Sequence, residues 1–320
     1  MPTQYCLQRP DQFRLTYPFC GKLDSITVFV GIYHNMKTKL ATVTLSLILS
    51  VILPLPSLAG TVLEQIKKTG VLKVGIRQDA PPLGFVSSDG KWEGYCIELM
   101  DLLAKRLEDQ LKLSQPVEVQ FIPSTLENRE QLVTEGKVDL ECGPNTITRT
   151  PKPGIVYSDR FLATGVHLLV RPDNQAFIQP SGALENISIG VLPASLTQQF
   201  ISSRYSLAQV VEYPGVEGRK NAVEDVVQGR LNAFASDGLL LIGEVLRNPA
   251  ISTQDYALVP QEPLTCEFYG MILPAGDMSW LNTVNSLILV EETVNILTGL
   301  YGKDSEYVKT LEAAHNKCLL

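Results

Sequence analysis

The sequence predicts an α/β protein of two lobes, each a mainly parallel sheet flanked by helices, and three observations support this fold class. Strand and helix patterns alternate through the first half of the chain, and the same alternation begins again after Pro180. Such an alternation is typical of parallel strands joined by right-handed crossovers. The segments Trp280–Leu300 and Glu306–His315 have helical patterns only, so they are expected to pack on one of the two lobes.

The first half of the chain contains three predicted strands with helices between them. The strands are runs of β-branched and apolar residues at Val71–Ile76, Val117–Ile122 and Val138–Cys142. The first helix is predicted from apolar side chains at helical spacing, which are Cys96, Leu99, Met100, Leu103 and Leu107. Ser124 and Glu127 have the spacing of a capping box and predict the start of a second helix, which Gly136 ends.

The second half repeats this architecture without repeating the residues. Its strands are predicted at Ile187–Leu192, Val210–Tyr213 and Ala233–Ala235. Its helices are predicted at Ser195–Arg204 and Arg219–Gln228. Two such units in tandem predict two lobes, because each unit forms a sheet of its own.

Residues 36–59 have the three regions of a secretory signal peptide. Met36–Lys39 is short and basic, Leu40–Leu53 is almost wholly apolar, and Ser57–Ala59 supplies small residues. The apolar run is too short for a typical membrane-spanning helix. We therefore expect a secreted protein whose mature chain begins near Gly60, and we interpret residues 1–35 as an upstream extension that is not native. A disordered extension ahead of a membrane anchor is the alternative.

Charge and composition narrow the classes of partner. Residues 1–59 contain five basic and two acidic residues, so the remaining 261 residues contain 22 basic and 32 acidic ones. This excess of negative charge argues against nucleic acid as a partner, because nucleic acids are bound by clustered Lys and Arg. The same residues contain only His167 and His315 as histidines and no C-x-x-C motif, so no metal or other cofactor is expected.

Candidate binding residues follow the predicted strands, where ligands bind in open α/β sheets. Arginines and hydroxyls suit a carboxylate, and an aspartate suits an ammonium group. The candidates are Arg77, Arg129, Asn145, Thr146, Thr148, Arg149, Ser195, Thr197 and Asp237. The set predicts a zwitterionic ligand held between the lobes, and it offers no nucleophile with an adjacent base.

Several short motifs in a fixed order connect the chain with a known family. They are Leu72–Arg77, Pro81–Phe85, Gly90–Tyr95, Gly136–Leu140 with Thr146–Thr148, Tyr157–Asp159, Gly229–Ala233 and Tyr269–Gly270. Their order and spacing resemble those of the amino-acid-binding periplasmic solute-binding proteins, family 3, of ATP-driven (ABC) importers. The resemblance extends from Thr61 to about Tyr307. Asn128–Arg129 and Glu141–Gly143 are most similar to the glutamate/aspartate-binding branch.

This resemblance implies a type II periplasmic-binding-protein fold with a two-strand hinge near Phe161–Thr164 and Phe268–Met271. It implies that residues 60–162 and 270–320 form lobe 1 and that residues 163–269 form lobe 2. It also implies a periplasmic monomer without a cofactor, which binds a free L-amino acid and delivers it to the permease subunits of the importer.

The resemblance also assigns roles to the candidate residues. Arg77 and Arg129 correspond to residues that bind the side-chain carboxylate of the ligand. Thr146 and Ser195 correspond to residues near its α-carboxylate, and Asp237 corresponds to the residue at its α-ammonium group. An acidic amino acid is therefore the expected ligand.

Two departures from the family pattern affect this expectation. The family's carboxylate-clamping arginine falls in register with Pro151, so Arg149 is the candidate replacement. The family's Gly-Thr-Thr in the second lobe reads Ala194–Leu196, which removes one hydroxyl. For these reasons a neutral polar amino acid such as glutamine is an alternative ligand.

Four cysteines follow the predicted signal peptide, and they are Cys96, Cys142, Cys266 and Cys318. An even number in an exported protein indicates disulfides, and the sequence alone allows three pairings. Cys96 in the first predicted helix and Cys142 at the end of a strand beneath it are expected within bonding distance, with two buried thiols as the alternative. A Cys266–Cys318 bond would resemble the one in the ligand-binding domains of ionotropic glutamate receptors, which share this fold.

Two other functions are alternatives to a non-enzymatic binding protein. Some exported relatives of this fold are cyclohexadienyl or arogenate dehydratases, and such an enzyme needs a general acid in the cleft. Glu98, Glu141 and Asp79 are the candidates for that acid. A ligand-sensing receptor domain is the other alternative, and it would need a membrane span or a signalling domain beyond Leu320.

Overall fold

The computed structural model describes residues 61–286, 288 and 290–319, the side chains of residues 290–294 excepted. The predicted signal peptide at residues 36–59 and the predicted extension at residues 1–35 lie outside this part of the chain. Within the described residues, no helix has both the length and the apolar character needed to cross a bilayer.

Strands and helices alternate as the sequence predicts. The strands are β1 (Val71–Arg77), β2 (Asp79–Ala80), β3 (Gly84–Val86), β4 (Trp92–Glu93), β5 (Glu118–Ser124), β6 (Leu140–Cys142), β7 (Ile155–Tyr157), β8 (Leu162–Thr164), β9 (Val166–Val170), β10 (Ser188–Val191), β11 (Gln209–Glu212), β12 (Ala233–Asp237), β13 (Ala257–Val259), β14 (Glu267–Tyr269) and β15 (Ile272–Pro274). The helices are α1 (Val62–Thr69), α2 (Tyr95–Leu111), α3 (Arg129–Thr134), α4 (Leu196–Arg204), α5 (Gly218–Val227), α6 (Gly238–Arg247), α7 (Met278–Asn285), α8 (Val290–Tyr301) and α9 (Glu306–Leu319).

Two five-stranded sheets define two lobes. The sheet of the first lobe has the order β5-β1-β6-β15-β7, and β1 lies parallel to both β5 and β6. The sheet of the second lobe has the order β11-β10-β12-β9-β13, and β10 lies parallel to both β11 and β12. The carboxyl ends of these parallel strands therefore face the region where the two lobes meet.

Two antiparallel strands connect the lobes. In this hinge β8 pairs with β14, so that Leu162 lies opposite Tyr269 and Thr164 lies opposite Glu267. Each strand that follows a hinge crossing, β9 or β15, joins its sheet in the antiparallel direction. The structure confirms the predicted two-lobed α/β fold with a two-strand hinge.

Local sequence signals account for both ends of α1 but not for the start of α3. Thr61 and Glu64 form a capping box at the start of α1, and Gly70 ends that helix with a φ of 71°. The capping box predicted at Ser124 and Glu127 is wrong. Instead the Thr125 amide donates to the Asn128 side chain at 2.8 Å, and the Asn128 amide donates to the Thr125 hydroxyl at 3.2 Å.

The C-terminal helices pack across the hinge. Helix α9 contacts hinge strand β8 and also α6 of the second lobe, while α8 contacts α2 of the first lobe. Trp280 of α7 is fully buried, and its indole N–H donates to the carbonyl of Asp139 at 2.8 Å. The helices without a sheet of their own therefore complete the cores of both lobes.

The described residues contain two disulfides, one between the cysteines expected within bonding distance and one between the pair that the resemblance implies. Cys96 of α2 is bonded to Cys142 of β6 with Cα atoms 5.8 Å apart, inside the core of the first lobe. Cys266, directly before hinge strand β14, is bonded to Cys318 of α9 with Cα atoms 5.4 Å apart. The second bond ties the last helix to the hinge.

Candidate ligand-binding site

A small cavity lies between the two lobes at the carboxyl ends of their strands. Its volume is about 50 Å³. Six residues predicted from the sequence line it, namely Arg77, Arg129, Thr146, Ser195, Thr197 and Asp237. Topology explains this meeting, because β1, β6, β10 and β12 all end at the same side of their sheets.

In the first lobe, Arg77 forms an ion pair with Asp79 on the same wall of the cavity. Its Nε donates to Asp79 Oδ1 at 2.7 Å and its Nη2 to Asp79 Oδ2 at 2.6 Å, and both residues are buried. Burial raises the pKa of Asp79, but the charge and hydrogen bonds of Arg77 outweigh that effect and hold the pKa below its usual value. The pair neutralises this part of the wall.

Arg129 is positioned by a buried polar network. Its Nη1 donates to the Pro144 carbonyl at 3.0 Å and to Asn145 Oδ1 at 2.9 Å. The Asn145 amide in turn donates to Glu141, and the Ser124 hydroxyl donates to Glu141 at 2.7 Å. Burial raises the pKa of Glu141, although Arg129 and these two donors oppose the shift.

In the second lobe, Asp237 is buried at the end of β12, where it precedes α6. Its Oδ2 accepts a hydrogen bond from the Tyr269 hydroxyl, and its Oδ1 has no partner among the described residues. Burial and the nearby charge of Glu267 raise the pKa of Asp237 to about 7. Glu267 accepts hydrogen bonds from Thr146 at 2.9 Å and from Thr265 at 2.8 Å. Two carboxylates therefore border the cavity on this side.

Arg219 of α5 also lines the cavity, although it is not among the candidates predicted from the sequence. Its side chain is 3% exposed, and its Nε and Nη1 have no partner among the described residues. A usable signal was present in the sequence. Arg219 precedes Ala222, Val223 and Val226 at helical spacing, so it lies in register with the buried face of α5.

The start of α4 faces the cavity through Ser195 and Thr197. Ser195 caps the helix, because its hydroxyl accepts from the Gln198 amide at 3.0 Å while donating to the Leu192 carbonyl at 2.7 Å. A helix start presents free amide groups and partial positive charge, which favours an anion.

Three predicted residues do not line the cavity. Asn145 lies behind Arg129 and links it to Glu141. The Thr148 hydroxyl donates to the carbonyl of Thr150 at 3.2 Å, and Arg149 is exposed. Residues 149 and 150 form a bend before Pro151, and both are exposed.

The unpartnered polar atoms of the described structure converge on this cavity. Buried side-chain atoms without a hydrogen-bond partner are Arg129 Nε, Arg219 Nε, Arg219 Nη1 and Asp237 Oδ1. All three residues line the cavity. Because buried polar groups are normally paired, such atoms require an explanation. Cationic donors on both lobes and an anionic acceptor on one form the complement of a zwitterion.

Two lobes joined by a hinge, with an unpaired charged cavity between them, define the class of a ligand-binding protein that closes around its guest. The chain belongs to the bacterial extracellular solute-binding proteins, family 3, whose model matches residues 72–298.

Curated relatives and solved structures agree with this assignment. The chain is 26% identical over 238 residues to a glutamate/aspartate import solute-binding protein of Escherichia coli, covering 73% of this chain and 76% of that protein. It is 28% identical over 193 residues to a glutamine-binding protein of Geobacillus stearothermophilus, covering 60% of this chain and 70% of that protein. The crystal structure of a reconstructed ancestral amino-acid-binding protein, a precursor of cyclohexadienyl dehydratase, matches the fold with a TM-score of 0.60 and 24% identity. That match covers 81% of this chain and 99% of the ancestral one.

Proposed function

We propose that this protein captures a free polar L-amino acid outside the cytoplasm and delivers it to the permease of an ABC importer. The observation that carries the proposal is the convergence of Arg129, Arg219 and Asp237, each with an unpartnered buried atom, on one cavity between the lobes. An amino acid supplies a carboxylate for the arginines and an ammonium group for the aspartate. Charge-assisted hydrogen bonds of this type contribute about 1.5–3 kcal/mol each.

We assign the α-ammonium group of the ligand to Asp237, with Glu267 as a second carboxylate beside it. The α-carboxylate is assigned to Arg219 and to the start of α4 at Ser195 and Thr197. In this proposal Arg219 takes the carboxylate-binding role that was predicted for Arg149. Arg129 and Thr146 are left for the ligand's side chain, and the Arg77–Asp79 pair forms the floor beneath it.

Closure of the lobes is expected to depend on the ligand. A cavity of about 50 Å³ is far smaller than the roughly 300–1,000 Å³ of typical ligand pockets, so an amino acid enters only when the lobes separate. Bringing the walls together without a ligand buries charges that remain unpaired, whereas a bound zwitterion pairs them. The hinge strands β8 and β14 are the elements that would bend.

The names of the relatives favour glutamate, aspartate or glutamine as the first ligands to test. Binding is favoured over a dehydratase reaction by the state of the candidate acids. Asp79 is paired with Arg77, Glu141 accepts from Ser124 and Asn145, and Glu98 is exposed on α2 away from the cavity. None of the three is free to serve as a general acid in the cleft.

Isothermal titration of the purified protein with a panel of free L-amino acids tests the proposal. We expect one or a few polar amino acids to bind in the micromolar range, which corresponds to about −8 kcal/mol. Small-angle scattering should show compaction with the same amino acids only. Absence of binding by every member of the panel would contradict the proposed function, and turnover of prephenate or arogenate would favour the enzyme.

A further inference from the structure

A second and larger cavity lies beside the amino-acid cavity. Its volume is about 550 Å³, within the roughly 300–1,000 Å³ typical of ligand pockets. Gln78 and Val86 line it from the first lobe, and α5 and α6 line it from the second. We call it the acidic chamber, because four carboxylates border it, those of Asp79, Glu217, Glu224 and Glu244.

Glu244 is distinguished from the other acids of the chamber by having no partner. The residue is 8% exposed and has no hydrogen bond or ion pair among the described residues, but its carboxylate oxygens are not among the fully enclosed unpartnered atoms, so they reach the chamber. Asp79, by contrast, is paired with Arg77, and Glu217 is paired with Lys220 at 3.0 Å. A buried carboxylate without a partner is unfavourable and calls for a cation.

The basic residues that line the chamber, Lys220 and Arg247, contact other groups, and Lys220 is paired with Glu217. The Arg247 side chain donates to the Val86 carbonyl at 3.1 Å, and its guanidinium lies 4.7 Å from the centre of the Phe85 ring. Arg219 and Arg247 influence Glu244 only through space, and burial raises the pKa of Glu244 in spite of them. The chamber therefore has an excess of negative charge at one buried point.

A third cavity borders both the chamber and the amino-acid cavity, because it shares lining residues with each. This cavity of about 60 Å³ shares Asp79 and Val216 with the chamber and shares Arg77 and Leu192 with the amino-acid cavity. Along α6, Glu244 follows Asp237 by seven positions, which is two turns on one face and roughly 10 Å. That separation matches an extended basic side chain with a hydrogen bond of about 2.8 Å at each end.

We propose that the acidic chamber binds an organic cation, a primary ammonium or a guanidinium group, on the carboxylate of Glu244. The cation is either the far end of the side chain of the bound amino acid or a separate small molecule. The inference deepens the proposed function and rests on it, because it extends the amino-acid site along α6.

The first experiment compares arginine with citrulline, its neutral analogue of the same length, by isothermal titration. The wild type is expected to bind arginine at least about tenfold more tightly, and Glu244→Gln should abolish this preference. Glu217→Gln is the matched control, because it removes a carboxylate of the same chamber that already has a lysine partner. Persistence of the preference in Glu244→Gln would overturn the inference.

The second experiment uses agmatine, which carries the guanidinium group without an α-carboxylate. Agmatine that binds the protein in the presence of a saturating neutral amino acid, and binds Glu244→Gln at least about tenfold more weakly, identifies a separate cation. A wild type that neither prefers arginine nor binds agmatine overturns the inference, whether or not Glu244→Gln folds. If that wild type still binds another amino acid, the proposed function stands; if it binds none, the proposed function fails as well.

Discussion

The two walls of the amino-acid cavity are both charged, but they differ in how their charges are neutralised. In the first lobe, Asp79 accepts two hydrogen bonds from Arg77. Asn145 accepts a hydrogen bond from Arg129 and donates one to Glu141. In the second lobe, Asp237 and Arg219 have three of the four unpartnered buried atoms of the described structure. The first wall is thus organised before a ligand arrives, whereas the second is completed by one.

A carboxylate therefore has opposite effects on the stability of the empty protein, depending on which of the two facing walls it belongs to. A carboxylate in the first wall stabilises the empty protein, because its removal leaves a buried arginine unpaired. A carboxylate in the second wall destabilises the empty protein, because it is buried without an adequate partner. Substitutions that remove one charge from either wall test the contrast directly.

Asp79→Asn should have the largest effect on stability. We expect a loss of about 3–5 kcal/mol in the free energy of unfolding, because Arg77 would remain buried without a counter-charge. Urea unfolding in the absence of ligand measures this. Asp173→Asn is the matched control, since Asp173 accepts from Arg171 Nε and Nη2 with the same two-residue spacing but at the surface, where a loss below about 1 kcal/mol is expected. Equal losses in the two variants would contradict the comparison.

Asp237→Asn should act in the opposite direction on stability while weakening binding. The ligand's ammonium group would lose its counter-charge, so we expect an affinity loss of about 2–5 kcal/mol in isothermal titration. The empty variant should be more stable than the wild type by about 1–3 kcal/mol, because one unpartnered charge is gone. Asp304→Asn, at an exposed position, should change neither quantity. Unchanged affinity in Asp237→Asn would remove this residue from the site.

The stability difference between Asp237→Asn and the wild type should depend on pH. The pKa of Asp237 is raised from 3.8 to about 7 in the folded protein, mainly by burial and then by Glu267. Between these values the folded protein binds more protons at this group than the unfolded chain does, so this contribution to stability falls as the pH rises. The advantage of the variant should be small below about pH 4, grow between about pH 4 and pH 7, and be largest near about pH 8. Unfolding curves at several pH values measure it, and a constant difference would contradict the assignment.

Arg219→Met and Arg149→Met separate the structural assignment from the one made on the sequence. Arg219 lines the cavity with two unpartnered donors, whereas Arg149 is exposed. We expect Arg219→Met to lower affinity by about 1.5–3 kcal/mol without lowering the stability of the empty protein. Arg149→Met should leave affinity within about 0.5 kcal/mol of the wild type. The reverse order in titration would restore the role predicted for Arg149.

The sequence contained enough information for the fold and for part of the site. Strand and helix periodicity, with the family motifs, predicts both sheets and the hinge, because apolar patterning determines which faces are buried. Topology then places the strand-end residues Arg77, Thr146, Ser195 and Asp237 together. The hydrogen-bond partners of these residues could not be predicted from topology. The pairing of Arg77 with Asp79 depends on side-chain orientation where β1 gives way to β2, and the exposure of Arg149 depends on the local conformation before Pro151.

Arg219 was missed for a related reason. It lies on a helix, whereas the predicted ligand residues follow strand ends, and only its register with Ala222 and Val223 indicates burial. Ser124 shows the converse error. Its spacing to Glu127 satisfied a capping pattern, but its hydroxyl donates to Glu141, a contact 17 positions away along the chain. Local patterns therefore predict elements better than they predict which buried polar groups meet.

Thr146→Val should have the smallest effect on ligand affinity, and it tests the contact between the two walls at the hinge. Thr146 follows β6 of the first lobe, yet its hydroxyl donates to Glu267 on hinge strand β14. This hydrogen bond therefore joins the wall whose charges are already paired to the wall whose charges are not. Its loss leaves Glu267 with Thr265 as donor and should weaken ligand binding by about 0.5–1.5 kcal/mol. Thr148→Val is the matched control, because the Thr148 hydroxyl bonds only to the nearby Thr150 carbonyl in the described structure. A larger effect at Thr148 than at Thr146 would mean that the loop after β6 turns toward the ligand when the lobes close. The first wall would then not be fully organised in advance.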